Sequence, residues 1–256
     1  HNIDGVYQSD AYKYCAGYQY DDKTIIGFSH THFNGTGHSD LGDILIMPMT
    51  GEVKLDMGTE ENPESGYRSR FSHDYEKAEA GYYSVLLQDY NILAEMTATE
   101  RVGVHRYTFP RETETGHIIL DLDYGIYNYD GKVLMANLRV EDEYTLTGYR
   151  ITRGWSRMNY THFAVKFSKP IQNYGCRNKE KVLYTGFWRK FDMTDNFPEM
   201  FGKHLTAYFD FDFSDGEPLV IKVALSPVDC RGAMKNLEAE TGGKSFDDIR
   251  NETQRK

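Results

Sequence analysis

A chain of 256 residues can bury roughly 70–75% of its unfolded surface, enough for one large all-β unit or two smaller domains. Its formal charge of −10 argues against a nucleic-acid partner, which needs a basic surface, and no stretch approaches the ~20 apolar residues of a membrane span. Three cysteines, Cys15, Cys176 and Cys230, are odd in number and lack metal-knuckle spacing, so one disulfide at most is expected.

The chain opens at His1 without a secretion signal, which points to a processed or trimmed start. Residues 12–20 alternate and are expected to run as a strand into the stretch that follows. That stretch, residues 27–48, reads GFSHTHFNGTGHSDLGDILIMP. It places His30, His32, His38, Asp40 and Asp43 among four glycines, between the apolar pair Ile25-Ile26 and the apolar run 44–47. The apolar ends read as strands, and a polar loop held by rigid elements is where binding groups concentrate. Residues 51–80 are charged and turn-rich and predict a long connection with short strands around 70–73.

From residue 82 the strand signals become dense. Residues 82–87, 92–99 and 102–109 are rich in aromatic and β-branched residues, with Asp89-Tyr90-Asn91 as a hairpin turn. Further strands are predicted over 117–122, 133–140, 145–153 and 162–167. The clearest alternation puts Leu205, Ala207, Phe209, Phe211 and Phe213 on one face, and Leu219, Ile221, Val223 and Leu225 repeat it. Period-2 runs with one apolar face predict a mainly β protein, an antiparallel two-sheet β-sandwich. Helix formers then run from Cys230 to Gly242, and Ser245 with Asp248 reads as a capping box opening a second helix. Helix is thus expected mostly after residue 228.

The residue types of the 27–48 loop leave three readings. Extended backbone over His30-Thr31-His32 would turn both imidazoles to one face. They would then bind a polyhydroxylated ligand, hold a transition metal with Asp40 or Asp43, or merely satisfy neighbouring carbonyls in a turn. The aspartates read more readily as partners of loop amides than as catalysts. Glu100-Arg101 reads as a salt-bridged strand pair before it reads as a carboxylate clamp, and Trp155 and Trp188 as core residues before sugar platforms.

The wording of the loop adds to this. GFSHTHFNGTGHSDLGDILIMP resembles the signature of glycoside hydrolase family 92, the calcium-dependent exo-α-mannosidases. Further resemblance lies in Cys15-Ala16-Gly17-Tyr18, KAEAGYY at 77–83, TATERVGVHRY at 97–107 and KVALSP at 222–227, in the family's order. The family usually carries a tryptophan just before the Cys-x-Gly-Tyr element, where this chain has Tyr12 and Tyr14.

The resemblance covers the family's N-terminal domain. It implies a supersandwich of galactose-mutarotase type over residues 1–228, with 229–256 a helical linker to an absent (α/α) barrel catalytic domain. It implies an exo-acting, inverting α-mannosidase that takes terminal mannose from N-glycans or mannans. Calcium is the implied cofactor, bound mainly by the barrel. The implied partners are mannose-containing glycans and the helical-barrel domain of the same parent chain, in a secreted or periplasmic enzyme. By the same carry-over His30 and His32 support or contact the sugar, with Ser29, Cys15 and Tyr18 as further substrate-binding candidates. No catalytic residue and no metal ligand is assigned to this chain, which is expected to be inactive alone. The alternative is a carbohydrate-binding or interdomain scaffold module without chemistry of its own. Residues 28–40 are expected at one edge of the sandwich, with His30 or His32 partly exposed.

Overall fold

The structure, a computed structural model, describes residues 17–32, 40–126, 131–178, 182–185 and 198–256. Among these, the strands in chain order are β1 (Thr24–Ile25), β2 (Leu45–Met49), β3 (Ser69–Arg70), β4 (Glu76–Glu79), β5 (Tyr82–Leu87), β6 (Ile92–Ala98), β7 (Val102–Thr108) and β8 (Thr115–Asp121). They continue as β9 (Val133–Asp142), β10 (Thr145–Thr152), β11 (Asn159–Phe167), β12 (Asn173–Asn178), β13 (Val182–Thr185), β14 (Glu199–Gly202), β15 (Leu205–Asp212) and β16 (Leu219–Ser226). Two α-helices follow, α1 (Cys230–Thr241) and α2 (Phe246–Gln254).

Nine strands form one sheet in the order β14-β9-β10-β11-β16-β7-β6-β5-β4, and five form another in the order β13-β12-β15-β8-β2. All pairings within them are antiparallel. Their inner faces share one apolar core, in which Tyr107, Leu138, Phe163 and Ile221 of the large sheet meet Met47, Ile119, Ala207 and Phe209 of the small one. Phe167 of β11 lies 4.9 Å from Phe211 of β15, ring centre to ring centre, across the gap. Each fully buried aromatic or branched side chain stabilises the fold by roughly 1.5–3 kcal/mol. The predicted antiparallel two-sheet sandwich is the observed fold.

The outer face of the large sheet carries the helices. Val102, Val104, Ala164 and Ala224 pack beneath Ala233, Leu237, Phe246 and Ile249. Asp229 caps α1 by accepting from the Gly232 amide, and Ser245 and Asp248 form the expected capping box of α2. Among the described residues no helix is long and apolar enough to cross a membrane.

Two expectations need correction. Residues 17–20 lie in turn and loop, not strand, while 12–16 fall outside the described residues. Strands β4, β12, β13 and β14 were not predicted. Of these, β4, β13 and β14 are sheet edges, and the charged Glu76-Lys77-Ala78-Glu79 of β4 shows why. Edge strands carry charge against further pairing, which erases the alternation a sequence reader looks for.

Candidate functional site

The histidine loop springs from the free side of β2, the edge strand of the small sheet. Phe28 and Ile46 exchange backbone hydrogen bonds of 2.8 and 3.0 Å, His30 N–H donates to the Asp43 carbonyl, and Gly42 N–H donates to that of Thr31. Thr31 turns towards the other side of the loop. Its hydroxyl donates to Asp43 Oδ2 at 2.8 Å and accepts from the amides of Gly42 and Asp43. Asp43 Oδ1 faces the buried guanidinium of Arg150 at 3.3 Å, and Asp40 accepts from the backbone N–H of Trp155 at 2.6 Å. Asp40 thus bonds turn backbone, as its preferred reading had it, whereas the Asp43 carboxylate bonds side chains, the Thr31 hydroxyl and the Arg150 guanidinium. Among the described residues no group of three or more His, Cys, Asp or Glu is arranged to hold a metal ion. His38 and Cys15 lie outside the described residues.

With Thr31 turned away, His30 and His32 both face a cavity of about 590 Å³ that Tyr18 and Ser29 also line. Four of the five predicted site residues thus meet at one place. The described part of the loop, residues 28–32 and 40, lies at the sandwich edge as expected, with His30 half-buried and His32 exposed. The two rings are held differently. His32 places Nε2 at 2.7 Å from the Ser29 hydroxyl, and solvent reaches its ring. Gly17, at φ +78°, backs that ring so closely that a Cβ would stand 2.6 Å from it. Burial of the side packed against Gly17, with the neighbouring His30, lowers the His32 pKa.

His30 is bonded at both nitrogens. Nδ1 lies 2.5 Å from the Ile44 carbonyl and Nε2 lies 2.8 Å from Nε2 of His105. His105 in turn places Nδ1 at 2.9 Å from the Tyr107 hydroxyl. Desolvation pushes His30 down to about 4 and His105 well below its ordinary value, so both rings are neutral at pH 7. Ile44 is held at φ +56°, a region that β-branched residues avoid. Strain of this kind costs of order 1–3 kcal/mol and clusters at functional sites. Here it aims the carbonyl that His30 uses.

The far wall is the β6–β7 turn, where Thr99, Glu100 and Arg101 line the cavity. Arg101 does not pair along the strand, as the sequence suggested. Its Nε lies 2.5 Å from Glu240 of α1, which also accepts from the Arg101 amide and the Thr99 hydroxyl. Burial alone would raise the Glu240 carboxyl, but these bonds hold it below its usual range. Tyr18 reaches Glu76 at 3.3 Å, and the same carboxylate takes Tyr83 at 2.6 Å and His73 at 2.5 Å. Burial and Glu76 push the Tyr18 phenol up to about 12. Trp155, expected in the core, is 80% exposed on the β10–β11 connection; Trp188 lies outside the described residues.

The family model for the Glycosyl hydrolase family 92 N-terminal domain matches residues 4–226. The chain belongs to glycosyl hydrolase family 92. No curated protein sequence matches it. Among solved structures it resembles a family 92 α-mannosidase from Bacteroides thetaiotaomicron, crystallised with mannoimidazole, at 36% identity and a TM-score of 0.86. That match covers 95% of this chain and 31% of the other. A second family 92 glycosyl hydrolase matches at 27% identity and a TM-score of 0.78, over 94% of this chain and 31% of its own. An inverting family 92 mannosidase from B. thetaiotaomicron, 24% identical, shares the fold at a TM-score of 0.71, over 93% of this chain and 29% of its own. The chain thus spans about a third of the length of these relatives.

Within this family 92 domain the described residues do not fit the implied calcium. A calcium site needs six to eight oxygens, several of them carboxylates. Glu100 is the one carboxylate among the described lining residues, while Glu76 and Glu240 are already bonded. Sequence reasoning missed His105 and Tyr107. Gly103, His105 and Tyr107 follow at period 2, and a histidine on a strand face that buries Tyr107 was the available signal.

Proposed function

We propose that this chain is the N-terminal domain of an exo-acting, inverting α-mannosidase that removes terminal α-linked mannose from N-glycans or mannans. Its cavity supplies one wall of the sugar pocket, where it meets a helical-barrel domain further along the parent chain. The observation that carries this is the Ser29–His32 pair in the cavity wall. A neutral imidazole and a hydroxyl can each donate and accept, which matches the two roles of every sugar hydroxyl. Tyr18 adds a phenol to the same wall, its hydroxyl donating to Glu76.

Glycoside hydrolysis takes two carboxyl groups, roughly 6.5–9.5 Å apart when the enzyme inverts. With Glu100 alone among the described lining residues, the acid and base come from the barrel, which also holds the calcium. Residues 229–256 form the helical linker to it. The same reading carries a secreted or periplasmic location for the parent enzyme.

The test is a parallel assay of this chain, the full-length parent and a parental His32→Ala variant on an aryl α-mannoside, with and without a chelator. Positioned proton transfer contributes about 10²–10⁴-fold. The chain alone is expected to show no turnover, the parent chelator-sensitive turnover, and the variant a raised KM. Chelator-sensitive hydrolysis by the chain alone would overturn the division of labour; an inactive parent would overturn the function.

A further inference from the structure

We propose that His105 and Tyr107 are positioning residues that lock His30 in its Nδ1–H tautomer, through a one-way chain of hydrogen bonds running from Tyr107 to His105 to His30 to the Ile44 carbonyl. The direction follows from its last member. A carbonyl oxygen can only accept, so His30 Nδ1, 2.5 Å from it, carries the proton. A neutral His30 then has a lone pair at Nε2, and the ring nitrogen 2.8 Å away, His105 Nε2, must donate. A neutral His105 is left with a lone pair at Nδ1, which the Tyr107 hydroxyl fills at 2.9 Å. Each bond settles the next, and every proton in the chain points at a lone pair.

Two arrangements compete: a protonated His30 with the two other bonds reversed, and a protonated His105 that donates to both His30 Nε2 and the Tyr107 oxygen. Either would place a cation where Tyr107 is fully buried and His105 is 3% exposed. Desolvation lowers both histidines, in agreement with the neutral chain. Two further features hold it. Ile44 is strained into the conformation that presents its carbonyl, and Gly103 leaves the space that the His30 ring fills. The consequence reaches the ligand. His30 has spent both nitrogens, so it contributes shape and no hydrogen bond, and recognition passes to His32 and Ser29. This inference rests on the proposed function only in taking the ligand to be a sugar.

The experiment is long-range ¹H–¹⁵N correlation on the chain labelled at histidine, at pH 7 and without ligand. His30 is expected to show the Nδ1–H pattern and His105 the Nε2–H pattern, each as a single tautomer. Tyr107→Phe leaves the Nδ1 lone pair of His105 without its donor and is expected to shift the His105 Nδ1 resonance while His105 stays Nε2–H, in a chain that keeps its folded amide spectrum. His30 protonated at both nitrogens, or at Nε2 alone, would overturn the proposal in the unmutated chain, whatever the variant does. An unchanged His105 in folded Tyr107→Phe would remove Tyr107 from it. Methyl α-mannopyranoside is then added: His32 should shift while the His30 pattern stays. A sugar-induced change of the His30 tautomer overturns the positioning role. Absence of any shift leaves the ligand-free result standing and counts against sugar binding by this wall without the barrel, while the assay of the parent tests the proposed function.

Discussion

Gly103 stands where any larger residue would collide with a ring that cannot retreat. A Cβ there would lie 2.8 Å from Cδ2 of His30 and 3.2 Å from Nε2, and both nitrogens of that ring are engaged. Overpacking of this kind costs about 1–3 kcal/mol. Gly103→Ala is therefore expected to lower stability by that amount in urea titration. An unchanged midpoint would show that the ring shifts freely. At this scale the sequence was most legible where chemistry is contiguous. Ser29, His30 and His32 stand within four positions on a loop whose composition announces it, and Tyr18 precedes it closely. His105 comes from a strand more than seventy positions away, and only tertiary structure brings it to 2.8 Å from His30. Aromatic content misled for Trp155, because exposure on a connection between strands is set by the turn and not by the residue type.

Among the elements, α1 does more than cover the sheet. Through Glu240 it grips the turn between β6 and β7, so a helix on the outer face fixes a wall of the cavity. The Glu240 side chain is 13% exposed and Arg101 is 54% exposed, so most of the effect lies in the bonds to Thr99 and to the Arg101 amide. Glu240→Ala is expected to cost about 1–2 kcal/mol and to speed amide exchange at Arg101. Arg101→Ala, which removes only the exposed ion pair, should cost less than about 1 kcal/mol. Equal losses in the two variants would contradict this division. Strands β15 and β16 were readable because one face of each meets the core with period 2, and β5 to β7 because they are rich in aromatic and β-branched residues between turns. β12 was not, since Asn173-Tyr174-Gly175-Cys176-Arg177-Asn178 buries only Gly175 and Cys176.

For the molecule as a whole, the histidines set opposing responses to pH. His30 and His105 have folded pKa values below the unfolded value of about 6.5, so their contribution is complete above that pH and is lost as pH falls towards 4. His73 is the opposite case. Its bond to Glu76 raises it, so its contribution is present below about 6.5 and fades as pH rises through the higher folded value. Stability in urea titration is expected to fall between pH 6.5 and 5, by of order 1–2 kcal/mol from His30 alone, before most carboxylates titrate. A flat midpoint across that window would contradict the buried neutral pair. The sheet order also has a consequence in time. His105 of β7 pairs with Ile221 of β16, more than a hundred residues later. At a synthesis rate of 5–20 residues per second, roughly 6–23 s separate the two. Until β16 emerges, β7 is a bare margin on the growing chain, with Val102, Val104 and Tyr107 uncovered. The wall that will hold His30 is thus made early and sealed late, and in that interval the nascent chain needs shelter from pairing with its neighbours.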